Sequence, residues 1–527
     1  MAHQVRLVKN GITYVYESTS YWDSEKKQPR SKRKLIGHID PETGDLVPNR
    51  RYDMKDKYAR TYEIGTFLLF DTISHKVGLS KILRKVFSRD ADRILTCAYY
   101  MVSEGKALSR CEQWSAGSRT PYGGRLGDQR ISELLIRLDK DAQKAFFKEW
   151  VSINSETDNY ALDITSISSY SEEIDIVRAG YNRDHENLEQ INVALLIGST
   201  TFRPLFYEIL PGNINDRSSL ERFVGLMDAM GFERFRIVMD KGFCTKYNID
   251  MLYQMNMRFI LPLTKSLNFT IDAITEVKNS IVSLSNYHRI SGSSVYVSSS
   301  LKKWNGHRCY THVYYDETKM ENDRKRFMQR LLRYKCLLEN GETIPQKDQS
   351  FCERYFTIKE TPKRGRKVIP NDERIYEFRQ RDAGYLVLVS NHEKDPVRAL
   401  EIYRAKETAE SGFDDIKNDF DLDRLGVHSE RAMDGKMFIG FIALIIKMEL
   451  NRVVYASDVL KERTVQELID EMKLLRATYI SGTRKPFLTE RTKLQKQVIS
   501  EFSVDMSVDM SVDLTLPDAD DPEFVEG

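Results

Sequence analysis

Residues 160–165 read YALDIT and place one carboxylate, Asp163, in the middle of an apolar run. Aromatic and β-branched residues of this kind predict a β-strand. Residues 236–240 read RIVMD and repeat the pattern, with Asp240 at the end of the run. An ionised carboxylate is costly to bury in an apolar strand unless it is paired or binds a cation.

Two such carboxylates favour a shared site. If their strands are neighbours in one sheet, Asp163 and Asp240 converge at one edge, where their oxygens can hold divalent cations. Taken singly, each Asp is more often a strand-end or helix-capping residue, and that alternative stays open for each of them.

The segments around these carboxylates predict the fold class. They are, in order, strands at 160–165, 192–198 and 203–209, a helix capped by Asn215 or Asp216, a strand at 236–240, a helix at about 246–255 and a strand at 258–263. The order βββαβαβ predicts a mixed sheet covered by helices, which is an α/β core.

Past this core, residues 266 to 382 interrupt the pattern with short strands and a charged helical segment at 322–337. A strand at 385–390 resumes the core, and a helix from 396 to about 419 follows. That helix offers the acids Glu401, Glu407, Glu410, Asp414 and Asp415.

Spacing favours Glu410 as the third carboxylate. A tyrosine, two lysines and this acid share one helical face at intervals of 3, 4 and 7: Tyr403, Lys406, Glu410 and Lys417. An acid that ligates metal beside cations that grip phosphate suits phosphoryl transfer on DNA.

These motifs resemble the DDE transposases of bacterial insertion sequences, in the subgroup with a Y-x2-R-x3-E-x6-K signature. The resemblance covers roughly residues 130 to 455. Besides the three acids and the signature, it rests on GYNRDH at 180–185, LEQ at 188–190, PGNIND at 211–216 and MDKGF at 239–243. One departure is Lys406, which stands where arginine is usual and offers a point charge instead of a planar fork.

The resemblance implies an RNase H-like core in which Asp163, Asp240 and Glu410 hold two Mg2+ ions, with Mn2+ as a substitute. It also implies that Tyr403, Lys406 and Lys417 hold phosphates of the transposon end, and that a β-rich insertion lies before the glutamate. In related transposases an insertion-domain tryptophan stacks on a flipped base, so an exposed Trp304 is expected here. Packing of Trp304 on its own hairpin is the alternative.

The flanking segments predict further regions. We expect a basic β-hairpin module at 1–55, a helical DNA-binding region at 56–155, core parts at 156–265 and 383–455, the β-rich insertion at 266–382, a helical region at 456–500 and an acidic disordered tail at 501–527. An amphipathic helix is expected at 458–475, and a buried apolar helix near 437–450.

Net charge hides two opposite parts. The chain has 527 residues, with 80 Lys and Arg against 78 Asp and Glu. Nine of the acids lie in residues 501–527, which hold no Lys or Arg, so the 500 residues before them carry a formal charge of +11. A basic body suits contact with DNA phosphates. The composition, with 41% hydrophobic residues, excludes collagen-like and wholly disordered chains.

Two basic segments are candidate DNA contacts. Lys363, Arg364 and Arg366 resemble a minor-groove hook, with an exposed cationic turn as the alternative. Lys32, Arg33 and Lys34 belong to a cationic stretch expected between two N-terminal strands. His307, Cys309 and His312 lack a fourth metal ligand, so a plain strand is predicted there instead of a zinc site.

Together these features predict a transposase that binds terminal inverted repeats as a homodimer, cleaves at the element ends, by analogy through a hairpin, and joins them to target DNA. A structure-selective nuclease and a non-catalytic, transposase-derived DNA-binding protein are the alternatives, although the presence of all three acids argues against the latter. Six scattered cysteines and the absence of a signal peptide predict a reduced, cytoplasmic bacterial protein, nucleoid-associated when on DNA, with no membrane span.

Overall fold

The computed structural model describes most of the chain. The described residues are 2–9, 11–23, 27–41, 43–48, 59–154, 159–171, 173–179, 188–199, 201–213, 216–229, 236–290, 292–361, 365–406, 420, 425–480 and 485–506.

The strands of the described part are, in chain order, β1 (Ala2–Lys9), β2 (Ile12–Asp23), β3 (Gln28–Ile39), β4 (Leu46–Pro48), β5 (Ala59–Glu63), β6 (Asn159–Ser169), β7 (Glu189–Gly198), β8 (Pro204–Pro211), β9 (Arg236–Met239), β10 (Arg258–Pro262), β11 (Tyr287–Ile290), β12 (Ser293–Trp304), β13 (His307–Tyr315), β14 (Phe356–Thr361), β15 (Gly365–Pro370), β16 (Tyr385–Ser390), β17 (Arg476–Ile480) and β18 (Phe487–Leu488).

The α-helices of the same part are α1 (Gly65–Lys76), α2 (Leu79–Phe87), α3 (Ala91–Glu104), α4 (Cys111–Gly117), α5 (Asp128–Arg137), α6 (Lys140–Asn154), α7 (Asp216–Ala229), α8 (Lys246–Gln254), α9 (Asn268–Val277), α10 (Glu317–Glu339), α11 (Gln346–Tyr355), α12 (Asp372–Glu377), α13 (Pro396–Ala405), α14 (Glu430–Ala456), α15 (Val465–Lys473) and α16 (Lys493–Phe502).

The larger of two compact units, residues 70–114 and 125–465, is built on a nine-stranded sheet. Its order is β11-β12-β13-β16-β10-β9-β6-β7-β8. Strands β6, β7 and β8 form an antiparallel meander, and β9 and β10 then join the other edge of β6 in parallel. Three antiparallel strands followed by two parallel ones give the RNase H-like core, so the predicted α/β fold class is confirmed.

Burial explains why the central strands are nearly continuous apolar runs. Every residue of β6 and of β9 is buried, because helices pack on the sheet. Helices α6 and α14 lie against β8, and α13 lies against β9 to β12. The ring of Phe147 on α6 contacts Phe206 on β8 and Phe441 on α14, with centroids 4.9 and 5.3 Å away.

The apolar helix expected near 437–450 is confirmed within α14, which is longer, and every residue from Met433 to Leu450 is buried. Among the described residues, no helix is long and apolar enough to cross a membrane. All six cysteines are described, and all are free thiols.

The insertion differs from the expected β-rich domain. Its strands β11, β12 and β13 extend the central sheet, because β13 pairs with β16 from Tyr315↔Tyr385 to Tyr310↔Ser390. The rest is mainly helical: α10, α11, α12 and the hairpin β14–β15 surround a core of Phe327, Leu331, Tyr334, Leu338, Cys352, Tyr355, Phe356 and Val368. Pairing between strands about 70 residues apart is not encoded in local periodicity, which is why the expectation failed.

The smaller unit comprises residues 1–69, 115–124 and 466–527. It holds the four-stranded antiparallel sheet β1-β2-β3-β4 and the three-stranded sheet β18-β17-β5. The all-helical expectation for 56–155 is therefore wrong at β5, and that for 456–500 is wrong at β17 and β18, since these segments pair with each other across the chain. The helix expected at 458–475 is α15, which begins only at Val465.

Two further expectations concern this unit. The cationic stretch that we expected between two strands lies within strand β3, because the hairpin β2–β3 is longer than its apolar residues indicate. The tail repeat begins just after α16, and residues 507–527, where disorder was expected, lie outside the described residues.

Gly212 shows why the PGN turn after β8 requires glycine. Its N–H donates to the carbonyl of Ile176 (3.1 Å). A Cβ on Gly212 would lie 2.0 Å from the carbonyl oxygen of Gln190 and 2.5 Å from that of Arg178. The side-chain amide of Asn192 donates to the carbonyl oxygens of both turn residues, Pro211 and Gly212, at 3.3 Å. Three backbone segments therefore meet where a side chain has no space.

Substitution of Gly212 should destabilise the larger unit. We expect Gly212→Ala to cost about 1–3 kcal/mol or more, because the methyl group meets backbone atoms that cannot move independently. The matched control is Gly225→Ala on α7, where a Cβ meets no atom within 4 Å. Urea unfolding should show the control unchanged or stabilised by up to about 1 kcal/mol. Equal stability of the two variants would contradict this packing argument.

Glu63, in the smaller unit, is a buried acid at the start of α1. Its Oε1 accepts from the backbone N–H of Thr66 (2.8 Å), and its Oε2 accepts from the Thr66 hydroxyl (2.7 Å). Burial raises the pKa of Glu63 from its ordinary 4.5 to about 7, although these hydrogen bonds and the charge of Lys473 lower it. The folded state thus binds this proton more tightly than the unfolded state.

Stability should therefore fall as pH rises through this range. The contribution of Glu63 is complete below pH 4.5 and is lost as pH rises to about 7, which amounts to about 3 kcal/mol. Glu63→Gln should gain stability relative to wild type by that amount between pH 5 and pH 8, measured by urea unfolding at each pH. The exposed Glu490→Gln is the control. A constant difference between Glu63→Gln and wild type would refute the assigned titration.

Candidate active site

Asp163 lies in the middle of the central strand β6. Its residue exposure is 4%, and its Oδ1 accepts a hydrogen bond from the N–H of Ile164 (2.9 Å). Strand β6 is flanked on one side by β7, where Leu195 is the partner of Asp163, and on the other side by β9. The carboxylate is therefore held at the centre of the RNase H-like sheet.

Asp240 follows the last residue of β9 and lies beside Asp163. The parallel register pairs Leu162 with Met239, so the next residues along the two strands are Asp163 and Asp240. Asp240 keeps extended backbone angles (φ −80°, ψ 168°) before the chain turns at Lys241. Residues in register on parallel strands point to the same face of a sheet. The predicted convergence of the two acids is thus built into the strand register.

Lys406 brings a positive charge to this pair. Its Nζ lies 3.3 Å from Asp240 Oδ1, and its side chain is 3% exposed, whereas that of Asp240 is 37% exposed. The ring centre of Tyr403 lies 5.9 Å from the same Nζ. We expected Lys406 to grip phosphate, but the structure buries it against Asp240, where it neutralises one of the two acids.

Helix α13 runs alongside β9, the strand that precedes Asp240, and ends just before Lys406. The helix begins at an Asp395 cap, whose side chain accepts from the N–H of Val397 (2.9 Å), with Pro396 in its first turn. Beside this start, Glu393 pairs with Arg236 at the beginning of β9 (3.1 Å). Ten helical residues rise about 15 Å, and the four strand steps from Arg236 to Asp240 cover about 13 Å. A helix that starts beside Arg236 therefore ends beside Asp240.

The strands of the insertion hold this helix in place. The Tyr314 hydroxyl on β13 donates to the carbonyl of Pro396 (2.7 Å), and Arg404 donates to the carbonyl of Ile290 on β11 (2.7 Å). Ala399, Leu400 and Ile402 are buried in one cluster with residues of β9, β10 and β16. The position of Lys406 thus depends on strands that sequence reasoning assigned to a separate domain.

Several predicted site residues lie outside the described residues. They are Glu410, Lys417, Lys363 and Arg364, together with residues 180–185 and Asn215 of the family-like motifs. Helix α13 is described only as far as Ala405, followed by a turn at Lys406. Within the described part of the chain, no group of three or more His, Cys, Asp and Glu side chains is placed to hold a metal ion.

Trp304 is not the exposed base-stacking residue that we expected. It is 6% exposed at the end of β12, and its indole N–H donates to Asp250 Oδ1 (2.8 Å). Its ring meets Phe269 edge-on, with centroids 5.2 Å apart. The expected exposure of Trp304 is wrong because Asp250 and Phe269 cover its ring. These partners lie 54 and 35 residues earlier in the chain, so the local sequence around Trp304 does not indicate them.

The residues considered for zinc are part of strand β13, as predicted. His312 is buried, its Nδ1 lies 2.8 Å from the Ser299 hydroxyl, and its Nε2 lies 3.1 Å from the carbonyl oxygen of Glu393. Burial lowers the pKa of His312 below its ordinary value. His307 does not approach His312 but stacks on Tyr253, with ring centroids 4.7 Å apart.

The remaining candidate cations are exposed. Lys32, Arg33 and Lys34 lie on β3, and Arg366 lies on β15, opposite Glu360. Strands β14 and β15 pair with each other, and the segment 362–364 of the expected hook lies outside the described residues. Sequence reasoning missed the pairing of Lys406 with Asp240, although a lysine one turn before the predicted glutamate was the available signal.

The match to one family model supports this assignment of the core. The sequence model of the family described as "Transposase DDE domain" matches residues 155–446. Among solved structures, the chain is similar to a piggyBac transposase in a synaptic complex with hairpin DNA, at 10% identity and a TM-score of 0.34, over 84% of this chain and 73% of that one. No curated protein sequence matches. Because the family match spans more than half of the chain and contains both Asp163 and Asp240, this protein belongs to the transposase DDE domain family.

Proposed function

We propose that this protein is the transposase of a bacterial insertion sequence, in the Y-x2-R-x3-E-x6-K subgroup. It binds the terminal inverted repeats as a homodimer, cleaves DNA at the element ends and joins the 3′-OH ends to target DNA. The observation that carries the proposal is the in-register pair Asp163 and Asp240 on neighbouring parallel strands. The family membership supports DNA as the partner.

The two described acids fit divalent metal ions. Asp163 is buried and in register beside Asp240, and carboxylate oxygens are the ligands that Mg2+ prefers. Asp163, Asp240 and Glu410 would hold Mg2+, with Mn2+ as a substitute. When bound, two such ions activate the attacking oxygen and stabilise the leaving oxygen.

The other residues have proposed roles on the DNA. Tyr403 and Lys417 hold phosphates of the transposon end. Lys363, Arg364 and Arg366 contact the DNA from the β14–β15 hairpin, and Lys32, Arg33 and Lys34 contact its backbone. Lys406 acts as the countercharge of Asp240, because its ammonium is buried against that carboxylate.

Removal of any of the three acids should abolish cleavage. With Mg2+ and DNA that carries the element ends, Asp163→Asn, Asp240→Asn and Glu410→Gln should each lose about 10^3-fold or more in rate, because metal-assisted charge stabilisation is lost. Glu401→Gln is the matched control, since Glu401 lies exposed on α13. The measurement is end cleavage and joining to a target plasmid, followed on gels.

Two outcomes would overturn the proposal. Cleavage that survives all three substitutions would show that the site is elsewhere. Ends that are cut but never joined to target would identify a nuclease with the same core.

Lys406 should set the affinity of the site for divalent cations. Lys406→Met removes a positive charge from Asp240, so Ca2+, which serves as a binding probe, should bind about tenfold or more tightly in calorimetry. Lys406→Arg keeps the charge and should bind Ca2+ as wild type does. If Lys406→Met instead weakens DNA binding and leaves the Ca2+ affinity unchanged, Lys406 is a phosphate ligand and the countercharge role is wrong.

A further inference from the structure

The hairpin β2–β3 extends beyond the sheet that contains it. Within the described residues, strand β1 pairs with β2 as far as Ala2↔Thr19, and β4 pairs with β3 from Gly37 to Ile39. Residues 19–23 of β2 and 28–32 of β3 therefore form a ribbon of two strands, here called the distal ribbon, and Arg33 and Lys34 follow it where β1 joins the sheet.

The distal ribbon is exposed along its length. Every residue of β3 from Gln28 to Lys34 is exposed. Near the tip, Tyr21 is 50% and Trp22 is 65% exposed. A two-stranded hairpin is at best marginally stable alone in water. Large exposed aromatics on such a ribbon mark a contact surface for a partner.

The ribbon carries an excess of positive charge. Residues 27–34 include five Lys and Arg and no acid, while the facing strand carries two acids, Glu17 opposite Lys34 and Asp23 opposite Gln28. Side chains alternate between the faces of a strand, so Arg30, Lys32 and Lys34 share one face. The pairing Tyr21↔Arg30 places Tyr21 on that face, whereas Arg33 and Trp22 lie on the other. A row of three cations ending in an aromatic suits a polyanion with flat groups.

The dimensions fit duplex DNA. Five residue pairs, from Thr19↔Lys32 to Asp23↔Gln28, extend about 14 Å along the ribbon. The major groove is about 12 Å wide and admits a two-stranded β-ribbon. We propose that the distal ribbon enters the major groove of duplex DNA, with Arg30, Lys32 and Lys34 against the phosphates and Tyr21 and Trp22 at the leading end. This inference rests on the proposed function, because it names the ribbon as one surface that holds the DNA.

The test uses the full-length chain without divalent metal and a labelled duplex of mixed sequence. The variant Arg30→Gln/Lys32→Gln/Lys34→Gln removes the cationic face. The matched control is Arg491→Gln/Lys493→Gln/Lys496→Gln, three exposed cations of the same unit near α16. Melting temperatures confirm that both variants fold.

The ribbon variant should bind at least about tenfold more weakly, and its plot of log affinity against log salt concentration should be shallower by about 2–3, as expected for three lost phosphate contacts. The control should keep the wild-type affinity and slope. Trp22→Ala should weaken binding with the slope unchanged, because it removes no charge.

Groove choice is tested by competition. Methyl green, a major-groove ligand, should displace the wild-type protein, and netropsin, a minor-groove ligand, should not. Displacement by netropsin alone would overturn the groove assignment. Wild-type affinity and slope in the ribbon variant would overturn the whole inference and point to an acidic protein as the partner.

Failure here is distinguishable from failure of the proposed function. If the full chain binds no duplex DNA at all, the transposase proposal fails as well. If it binds DNA equally well with and without the ribbon cations, only the ribbon inference fails, and the substitutions at Asp163, Asp240 and Glu410 still decide catalysis.

Discussion

The parallel pairing of β6 with β9 is the constraint on which the site depends. Its register sets Asp163 beside Asp240, and neighbouring strands lie only about 4.8 Å apart. Two carboxylates this close, one of them almost fully buried, repel each other and lose their hydration. The fold can keep both ionised only by bringing positive charge to the same place. Lys406 supplies part of that charge.

The position of Lys406 depends on contacts between the insertion and the core. Helix α13 starts where Glu393 meets Arg236 of β9, and it runs along that strand towards Asp240. Tyr314 and Arg404 tie the two ends of the helix to insertion strands, through the carbonyl groups of Pro396 and Ile290. The strands β11 to β13 are therefore part of the frame of the site. A segment inserted between two catalytic acids would ordinarily be treated as a separable domain. Here the first strands of the insertion, β11 to β13, hold helix α13, which follows the insertion in the chain, in position.

Sequence reasoning predicted what depends on local composition. The central strands are apolar and β-branched because they are buried on both faces, so their positions were predictable, as was the placement of both acids. It failed where the decisive partner is distant in sequence. The indole of Trp304 is buried by Asp250, and β13 joins the sheet through β16. Pairing of Lys406 with Asp240 spans 166 residues, and no periodicity in either segment encodes it.

Charge balance also explains why one lysine does not complete the site. DNA is a polyanion, and two carboxylates at the reaction centre repel it. Lys406 lies against one of them and offsets part of this repulsion. Positive charge that enters with the DNA or before it would offset more of it. Divalent cations bound to the acids would supply such charge at the centre itself. The same electrostatic argument that makes the buried acids costly therefore makes them suitable for metal-assisted chemistry on DNA.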